Sequence, residues 1–184
     1  MKPLHPAHLA TPASEQRALR DALGMFATGV TIVTTLAPDG TPVGLTVNSF
    51  NSVSLAPPLV LWSLAHRAAS LAVFTQAAHY AINVLTTRQR ELAARFATRG
   101  AKPWAEAAWR PGKTGMPVLA DAAAVFECAS RSQYPEGDHT ILVGEVLHSA
   151  HHAGSTPLLY HGGMFYTEHP LGGAANGALA RARP

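Results

Sequence analysis

The chain has 184 residues, a length that is typical of one domain. Charged residues make up only 14%, and 14 lysines and arginines against 11 acidic residues give a net charge of +3. This balance excludes a charge-driven disordered protein and a strongly basic nucleic-acid binder. The single cysteine, Cys128, excludes an intramolecular disulfide framework and a cysteine-rich zinc site, and it fits a reducing compartment.

The two ends differ in composition from the middle of the chain. Residues 1–13 lack the apolar stretch of a signal peptide, and the longest apolar run, residues 57–65, is strand-sized. We therefore expect a cytoplasmic protein that does not associate with membranes. The composition predicts a flexible N-terminal arm at 1–13, one domain at 14–171 and a flexible Gly/Ala-rich tail at 172–184.

The first elements along the chain are a helix and a β-hairpin. Ser14 is a candidate cap for a helix that runs to Phe26, with Leu19 and Leu23 on the same face as Phe26. A β-branched run at 30–35 then predicts a strand. The Pro-Asp-Gly turn at 38–40 leads to a second strand at 43–47, and the two strands should pair.

The rest of the chain is predicted to be mainly β with peripheral helices. Strands are expected at 52–55, 59–64, 80–85, 125–134, 139–147 and 158–166, helices at 67–76 and 88–98, and irregular structure at 99–120. The strand from 140 to 147 is apolar on both faces except at Glu145, which suits a barrel with helices packed outside it. The strand spacing predicts an antiparallel barrel, and no G-x-G-x-x-G motif supports a Rossmann site.

One segment concentrates uncharged hydrogen-bonding side chains. Residues 44–55, Gly-Leu-Thr-Val-Asn-Ser-Phe-Asn-Ser-Val-Ser-Leu, hold four hydroxyls and two amides directly after a predicted strand. Such side chains suit a ligand held by many short hydrogen bonds, for example the edge of a flavin ring or a phosphate. The composition fits a Ser/Asn-rich loop at a barrel corner equally well.

Several motifs in order resemble the flavin reductase family. They are the runs at 26–35, 46–61, 81–85, 137–146 and 157–166, so that the resemblance covers about residues 15–166. The resemblance implies the FMN-binding split-barrel fold, an antiparallel split β-barrel. It also implies an NAD(P)H:flavin oxidoreductase, with FMN or FAD as the flavin and NADH or NADPH as co-substrate. Members of the family are usually homodimers and supply reduced flavin to a partner monooxygenase.

The resemblance also implies which residues contact the flavin. The implied ring contacts lie on one segment and are Thr46, Val47, Asn48, Ser49, Ser52, Val53 and Ser54. The implied contacts at the phosphate end are Ser63, Leu64, Arg67 and Ser70, with Ser70 in the first turn of a helix, where free N–H groups favour an anion. Asn83, an amide within a strand, is a further candidate. Arg67 as a solvated surface side chain and Asn83 as a buried structural amide remain alternatives.

His139 is the candidate catalytic residue. The resemblance places it beside the nicotinamide, where it would orient the carboxamide or help protonate the reduced flavin. The alternative is that Gly137 and Asp138 form a hairpin turn and His139 merely begins a strand. Two other functions stay open: an FMN-binding electron-transfer flavoprotein, and a non-redox split-barrel module that binds another ligand.

Two further clusters have simpler interpretations. His148, His151 and His152 are close in sequence, but strand geometry points i and i+3 to opposite faces, so no metal site is expected. The favoured interpretation of Trp104 and Trp109 is that they are packing anchors, and a lid is the alternative.

Overall fold

The computed structural model describes residues 13–169, and β-strands are the commonest regular structure among them. The predicted arm (except Ala13) and the predicted tail lie outside the described residues. The helices are α1 (Ala13–Gly24), α2 (Leu71–Gln76) and α3 (Arg90–Ala97). The strands are β1 (Thr28–Gly29), β2 (Thr31–Leu36), β3 (Pro42–Val47), β4 (Asn51–Leu55), β5 (Pro58–Ala65), β6 (His79–Val84), β7 (Trp109–Pro111), β8 (Pro117–Leu119), β9 (Ala124–Glu136), β10 (His139–His151), β11 (Leu159–His161) and β12 (Met164–Tyr166).

Seven strands form one antiparallel sheet in the order β3-β2-β6-β9-β10-β5-β4. Its two edge strands, β3 and β4, are consecutive in the chain, and only residues 48–50 connect them. The sheet therefore curls until its edges approach each other without pairing, which is the split barrel that the sequence analysis predicts. Strands β1, β11 and β12 form a separate small sheet, and β7 pairs with β8.

Large apolar side chains fill the interior of the barrel. Trp62, Phe74, Tyr80 and Leu142 are fully buried there, and the Trp62 indole meets the rings of Phe74 and Tyr80 edge-on. The opposite face of the sheet is covered by α3 and the β7–β8 hairpin, around Ile32 and its neighbours. These elements cover β2, β3 and β6. On β10, Ile141 and Val143 are only half-buried and Leu147 is 44% exposed, so the expected cover on both sides of residues 140–147 is incomplete.

Glu127 anchors the β7–β8 hairpin to the barrel. Its side chain is 7% exposed, and its carboxylate accepts hydrogen bonds from the Lys113 N–H at 3.1 Å and from the Thr114 N–H and hydroxyl at 2.7 Å each. Burial raises the pKa of Glu127, but these donors and nearby His148 outweigh it, so the pKa lies below its ordinary value. The hairpin is therefore held by a buried carboxylate that stays ionised.

Several element boundaries differ from the expectations. The predicted helix at 67–76 contains only α2, because residues 66–70 form turns, and the predicted strand at 158–166 is divided by the Gly162-Gly163 turn into β11 and β12. The stretch at 99–120, expected to be irregular, contains the β7–β8 hairpin. The predicted helix at 88–98 begins with a short 3-10 turn, Thr87–Gln89, before α3.

Helix α1 differs from the expectation in its start and in its packing. Ser14 lies inside the helix rather than capping it, since α1 begins at Ala13. The apolar residues on its predicted face are not buried: Leu19 is 60%, Leu23 65% and Phe26 74% exposed. The periodic pattern is present, but within residues 13–169 it has no core to cover.

Candidate functional site

The short connection between the two edge strands is fastened to the barrel by a pair of serines. Ser49 Oγ donates to the Ser63 carbonyl at 3.3 Å and accepts from the Ser63 N–H at 2.9 Å. The Ser49 hydroxyl therefore clamps residues 48–50 onto β5. This clamp brings together two parts of the chain that the sequence analysis assigned to one site, the 46–54 segment and the end of β5.

A β-bulge changes the direction of side chains within the 46–54 segment. Ser52 pairs with Val60 and Ser54 pairs with Leu59, so Val53 is an extra residue in β4. Ser52 and Val53 are exposed, and the half-buried Ser54 accepts the Ala56 N–H at its Oγ at 3.2 Å. Because Ser54 Oγ acts as the acceptor in this bond, its own hydroxyl hydrogen can still be donated to a ligand.

A groove of about 220 Å³ lies beside the start of this segment. Thr46, Val47 and Asn48 line one side, and Tyr160 and Phe165 line another with their rings 5.7 Å apart. Thr46 Oγ1 also donates to the Ala93 carbonyl of α3 at 2.7 Å, which ties the groove to the helix. A wider cleft continues from Asn48 and Tyr160 toward Arg20 of α1.

Tyr160, Phe165 and Arg20 lie near the candidate site although none of them is a predicted contact. Tyr160 reaches the groove because β11 pairs with β1, directly before β2. The signal for Tyr160 and Phe165 in the sequence is the aromatic content of the run at 157–166, which carries part of the family resemblance.

Three of the predicted flavin contacts have side chains that are buried inside the protein. Leu64 is 1% exposed and Val47 is 9% exposed, and both pack in the barrel interior. Their side chains cannot lie along a bound ring, although Val47 borders the groove. Asn83 is fully buried; its Nδ2 donates to the Ile32 carbonyl at 3.0 Å and to Thr34 Oγ1 at 3.2 Å.

Asn83 therefore does not belong to the candidate cofactor site. Its Oδ1 accepts the Leu119 N–H at 2.9 Å, so the amide joins β2, β6 and β8 on the covered outer face of the sheet. Both amide hydrogens and the carbonyl oxygen are used inside the protein. The structure thus supports the alternative of a buried structural amide and corrects the assignment to flavin binding.

The predicted phosphate end is less regular than expected. Arg67 is exposed and lies in a turn, and its charge contributes to the low pKa of Asp138. Ser70 stands immediately before α2 rather than in its first turn, and its side chain makes no capping hydrogen bond. Ser63 and Ser70 are half-buried, so their hydroxyls are at least partly accessible.

His139 is the first residue of β10 and pairs with Ala65 at the end of β5. Its side chain is 44% exposed. Ser63 is two residues before Ala65 and, like His139, points away from the barrel interior, because side chains alternate along a strand. His139 therefore lies on the same face of the sheet as the residue that receives the Ser49 clamp.

The two tryptophans and the cysteine singled out in the sequence have structural positions. Trp104 packs edge-on against Phe96 at 5.0 Å and against Trp109 at 5.7 Å, so these tryptophans are packing anchors. Residues 13–169 contain no group of three or more histidine, cysteine or acidic side chains placed to hold a metal. Burial raises the pKa of the Cys128 thiol to about 12, which leaves it unreactive.

The side chains gathered here fit a flavin better than a strongly anionic ligand. The 46–54 segment offers hydroxyls, two amides and backbone groups and no charged side chain. Uncharged donors and acceptors suit the pyrimidine edge of an isoalloxazine ring, and the exposed Arg67 offers one positive charge for a phosphate.

None of the helices in the described residues is long and apolar enough to cross a bilayer.

The sequence matches a family model described as flavin reductase like domain over residues 23–169. Among curated proteins it is 48% identical over 159 residues to FMN reductase (NADH) SmoA of Agrobacterium fabrum, covering 86% of this chain and 90% of that protein. It is 40% identical over 151 residues to the reductase component of flavin-dependent trigonelline monooxygenase of Acinetobacter baylyi. That alignment covers 82% of this chain and 48% of the relative, so the chain spans about half the length of some relatives.

A solved structure shares the fold over most of its length. NADH:FAD oxidoreductase SgcE6 of Streptomyces globisporus, in complex with NAD and FAD fragments, superposes with a TM-score of 0.81 at 37% identity. The match covers 90% of this chain and 99% of that chain. The family match over 147 consecutive residues (23 to 169) and this shared fold agree with each other. The chain therefore belongs to the flavin reductase like domain family.

Proposed function

We propose that this protein is an NAD(P)H-dependent flavin reductase that transfers a hydride from a nicotinamide to FMN or FAD. The observation that carries the proposal is the 46–54 segment, whose uncharged hydrogen-bonding groups are clamped onto β5 by Ser49 in a chain of this family. The name of SmoA, FMN reductase (NADH), supports the choice of nicotinamide and flavin. A bound flavin supplies the hydride acceptor, so no protein nucleophile is needed.

The proposed roles of the residues follow from their accessibility. Asn48, Ser52 and Ser54 bind the polar edge of the flavin through their side chains, and Val53 covers the ring as an exposed apolar residue of the bulge. Thr46 and Ser49 use their hydroxyls inside the protein and act by holding the segment in place. Donors aimed in advance at the pyrimidine edge stabilise the negative charge that the flavin gains on reduction.

The other end of the flavin site is proposed for the turn before α2. Arg67 and Ser70 bind the phosphate, while Ser63 and Leu64 contribute through the backbone of β5. His139 binds the carboxamide of the nicotinamide from the neighbouring strand. This places the two substrates against adjacent strands of one sheet.

We further propose that the protein is a cytoplasmic homodimer that delivers reduced flavin to a separate monooxygenase. Leu19 and Leu23 of α1, and separately Leu55 of the edge strand β4 at 71% exposure, are exposed apolar residues that a second copy could cover. The trigonelline monooxygenase reductase component supports the kind of partner. The buried, unreactive Cys128 fits a reducing compartment.

The test is flavin-dependent oxidation of NADH and NADPH by the purified protein, with FMN, FAD and riboflavin each added in turn. The proposal expects rapid oxidation with at least one pair and a rate that rises with flavin concentration. Tight flavin binding without oxidation of either nicotinamide would instead support the electron-transfer alternative. Absence of both binding and oxidation would contradict any flavin function.

A further inference from the structure

The residue before His139 forms a hydrogen bond that the proposed function does not use. Asp138 Oδ1 lies 2.6 Å from Nδ1 of the His139 ring. The hydrogen bond from His139 is the largest cause that lowers the pKa of Asp138, followed by the charge of His139. Asp138 is therefore a carboxylate at neutral pH, and a carboxylate can only accept a hydrogen bond.

This chemistry decides which nitrogen of His139 carries the proton in the neutral ring. Because Asp138 cannot donate, the hydrogen between the two atoms belongs to Nδ1. In the neutral imidazole the other nitrogen, Nε2, is then an acceptor. A histidine without such a neighbour exchanges between both tautomers, and only one of them has an acceptor at Nε2.

The backbone holds Asp138 where this bond can form. Gly137 and Asp138 are the two residues of the β9–β10 turn, and Gly137 has φ +59, as the first position of a type II′ turn requires. The Asp138 carbonyl accepts the His66 N–H at 2.9 Å, which fastens the turn to the residue after β5. The carboxylate is thus carried by this turn and the imidazole by the first residue of β10, so both positions are fixed by the sheet.

Nearby groups support the carboxylate without competing for it. The charge of Arg67 contributes to keeping Asp138 ionised. The His66 ring bonds Thr140 Oγ1 at 3.1 Å, so it is engaged elsewhere. Asp138 itself is 92% exposed, and an ion pair so exposed contributes little to stability. The bond is therefore not needed to stabilise the fold.

We propose that Asp138 is a positioning residue for the flavin reductase reaction: it holds His139 in the Nδ1–H tautomer, so that Nε2 accepts a hydrogen bond from the carboxamide NH₂ of the nicotinamide. This inference rests on the proposed function. Transfer of the hydride itself changes no bond of Asp138 or His139.

The first arm of the test uses the free protein and needs no substrate. Nitrogen-15 NMR of the imidazole at a pH where His139 is neutral reports which nitrogen carries the proton. We expect the Nδ1–H tautomer in the wild type and a shift toward Nε2–H in Asp138→Ala. The matched control is Asp39→Ala, which removes another exposed turn carboxylate, one that accepts the Thr41 N–H at 2.9 Å. An Nε2–H tautomer in the wild type would overturn the proposal.

The second arm uses two nicotinamides that differ in one group. Reduced 3-acetylpyridine adenine dinucleotide has a methyl group where NADH has the carboxamide NH₂. We expect Asp138→Ala to raise KM for NADH about tenfold, as for loss of one hydrogen bond of about 1.4 kcal/mol, and KM for the analogue by less than twofold. An equal rise for both substrates would overturn the proposal, because it would indicate a general structural effect.

The two arms also separate this inference from the function on which it rests. If His139→Ala leaves KM for NADH unchanged, the proposed role of His139 fails and the role of Asp138 fails with it. If His139→Ala raises KM for NADH while Asp138→Ala does not, only the positioning role is overturned. The double variant should match His139→Ala, since Asp138 acts through that ring.

Discussion

The exchange of Asn83 for alanine separates a structural amide from a flavin ligand. The structure places this side chain in a fully buried position, with hydrogen bonds to Ile32, Thr34 and Leu119. The truncation removes all three bonds and leaves the buried Leu119 N–H without its acceptor. We therefore expect a large loss of stability and no change in the affinity of the folded protein for flavin.

The expected loss in the free energy of unfolding follows from the hydrogen-bonding groups that lose their partner when Asn83 is truncated. A buried donor without a partner costs about 1–3 kcal/mol, and the two lost donor bonds add about 0.5–1.5 kcal/mol each. The sum is about 2–6 kcal/mol with a middle value of about 4 kcal/mol, among the larger single-residue effects. For a domain of this size each kcal/mol lowers the melting temperature by about 2–4 °C, so Asn83→Ala should lower it by about 10 °C.

The assay is urea unfolding followed by an FMN titration at a temperature where the variant is folded. Asn48→Ala is the matched control, since Asn48 is an exposed amide that lines the groove. We expect the control to keep its stability within about 0.5 kcal/mol and to lose flavin affinity by about 1–3 kcal/mol. The reasoning is refuted if Asn83→Ala costs less than about 1 kcal/mol of stability yet weakens FMN binding as strongly as the control does.

Three further perturbations test other parts of the account. Ser52→Ala and Ser54→Ala should each weaken flavin binding by about 1–3 kcal/mol in equilibrium titrations; unchanged affinity in both would remove them from the site. Glu127 has a folded-state pKa below its ordinary value of 4.5, so its contribution to stability is full above that pH and is lost as the pH falls through the folded value. Unfolding midpoints of the wild type should therefore fall more steeply below about pH 4.5 than those of Glu127→Gln, and parallel curves would contradict this role. Gly44→Ala would place a Cβ 2.8 Å from the Phe96 ring and should cost about 1–3 kcal/mol of stability by calorimetry, whereas a neutral result would show that α3 can move aside.

Local patterns predict the barrel strands well. The β-branched run at 30–35 and the Pro-Asp-Gly turn lead to the β2–β3 hairpin, in which Thr35 pairs with Val43. These signals work because alternation and turn chemistry depend on residues close in sequence. The exposed face of α1 shows the limit of the same reasoning: periodicity indicates an amphipathic helix, but it does not say what covers the apolar face.

The site is only partly predictable for a related physical reason. Residue type identifies the 46–54 segment, but it does not separate a hydroxyl that faces a ligand from one that fastens the chain. Ser49 and Ser52 look alike in sequence, yet of the two side-chain hydroxyls only that of Ser49 forms a hydrogen bond to β5. Asn83 is a predicted flavin contact that lies away from the site, whereas Tyr160 lines the groove without being predicted. Both errors arise because the bonds of Asn83 and the position of Tyr160 depend on strand pairing across long sequence separations.

The central claim is that this protein transfers a hydride from a nicotinamide to a flavin. The most direct measurement is anaerobic mixing of the protein with FMN and NADH while the flavin absorbance is followed. The account predicts bleaching of the flavin, with one NADH consumed for each flavin reduced, and slower bleaching in His139→Ala. Absence of bleaching with FMN, FAD and riboflavin, and with both NADH and NADPH, would contradict it.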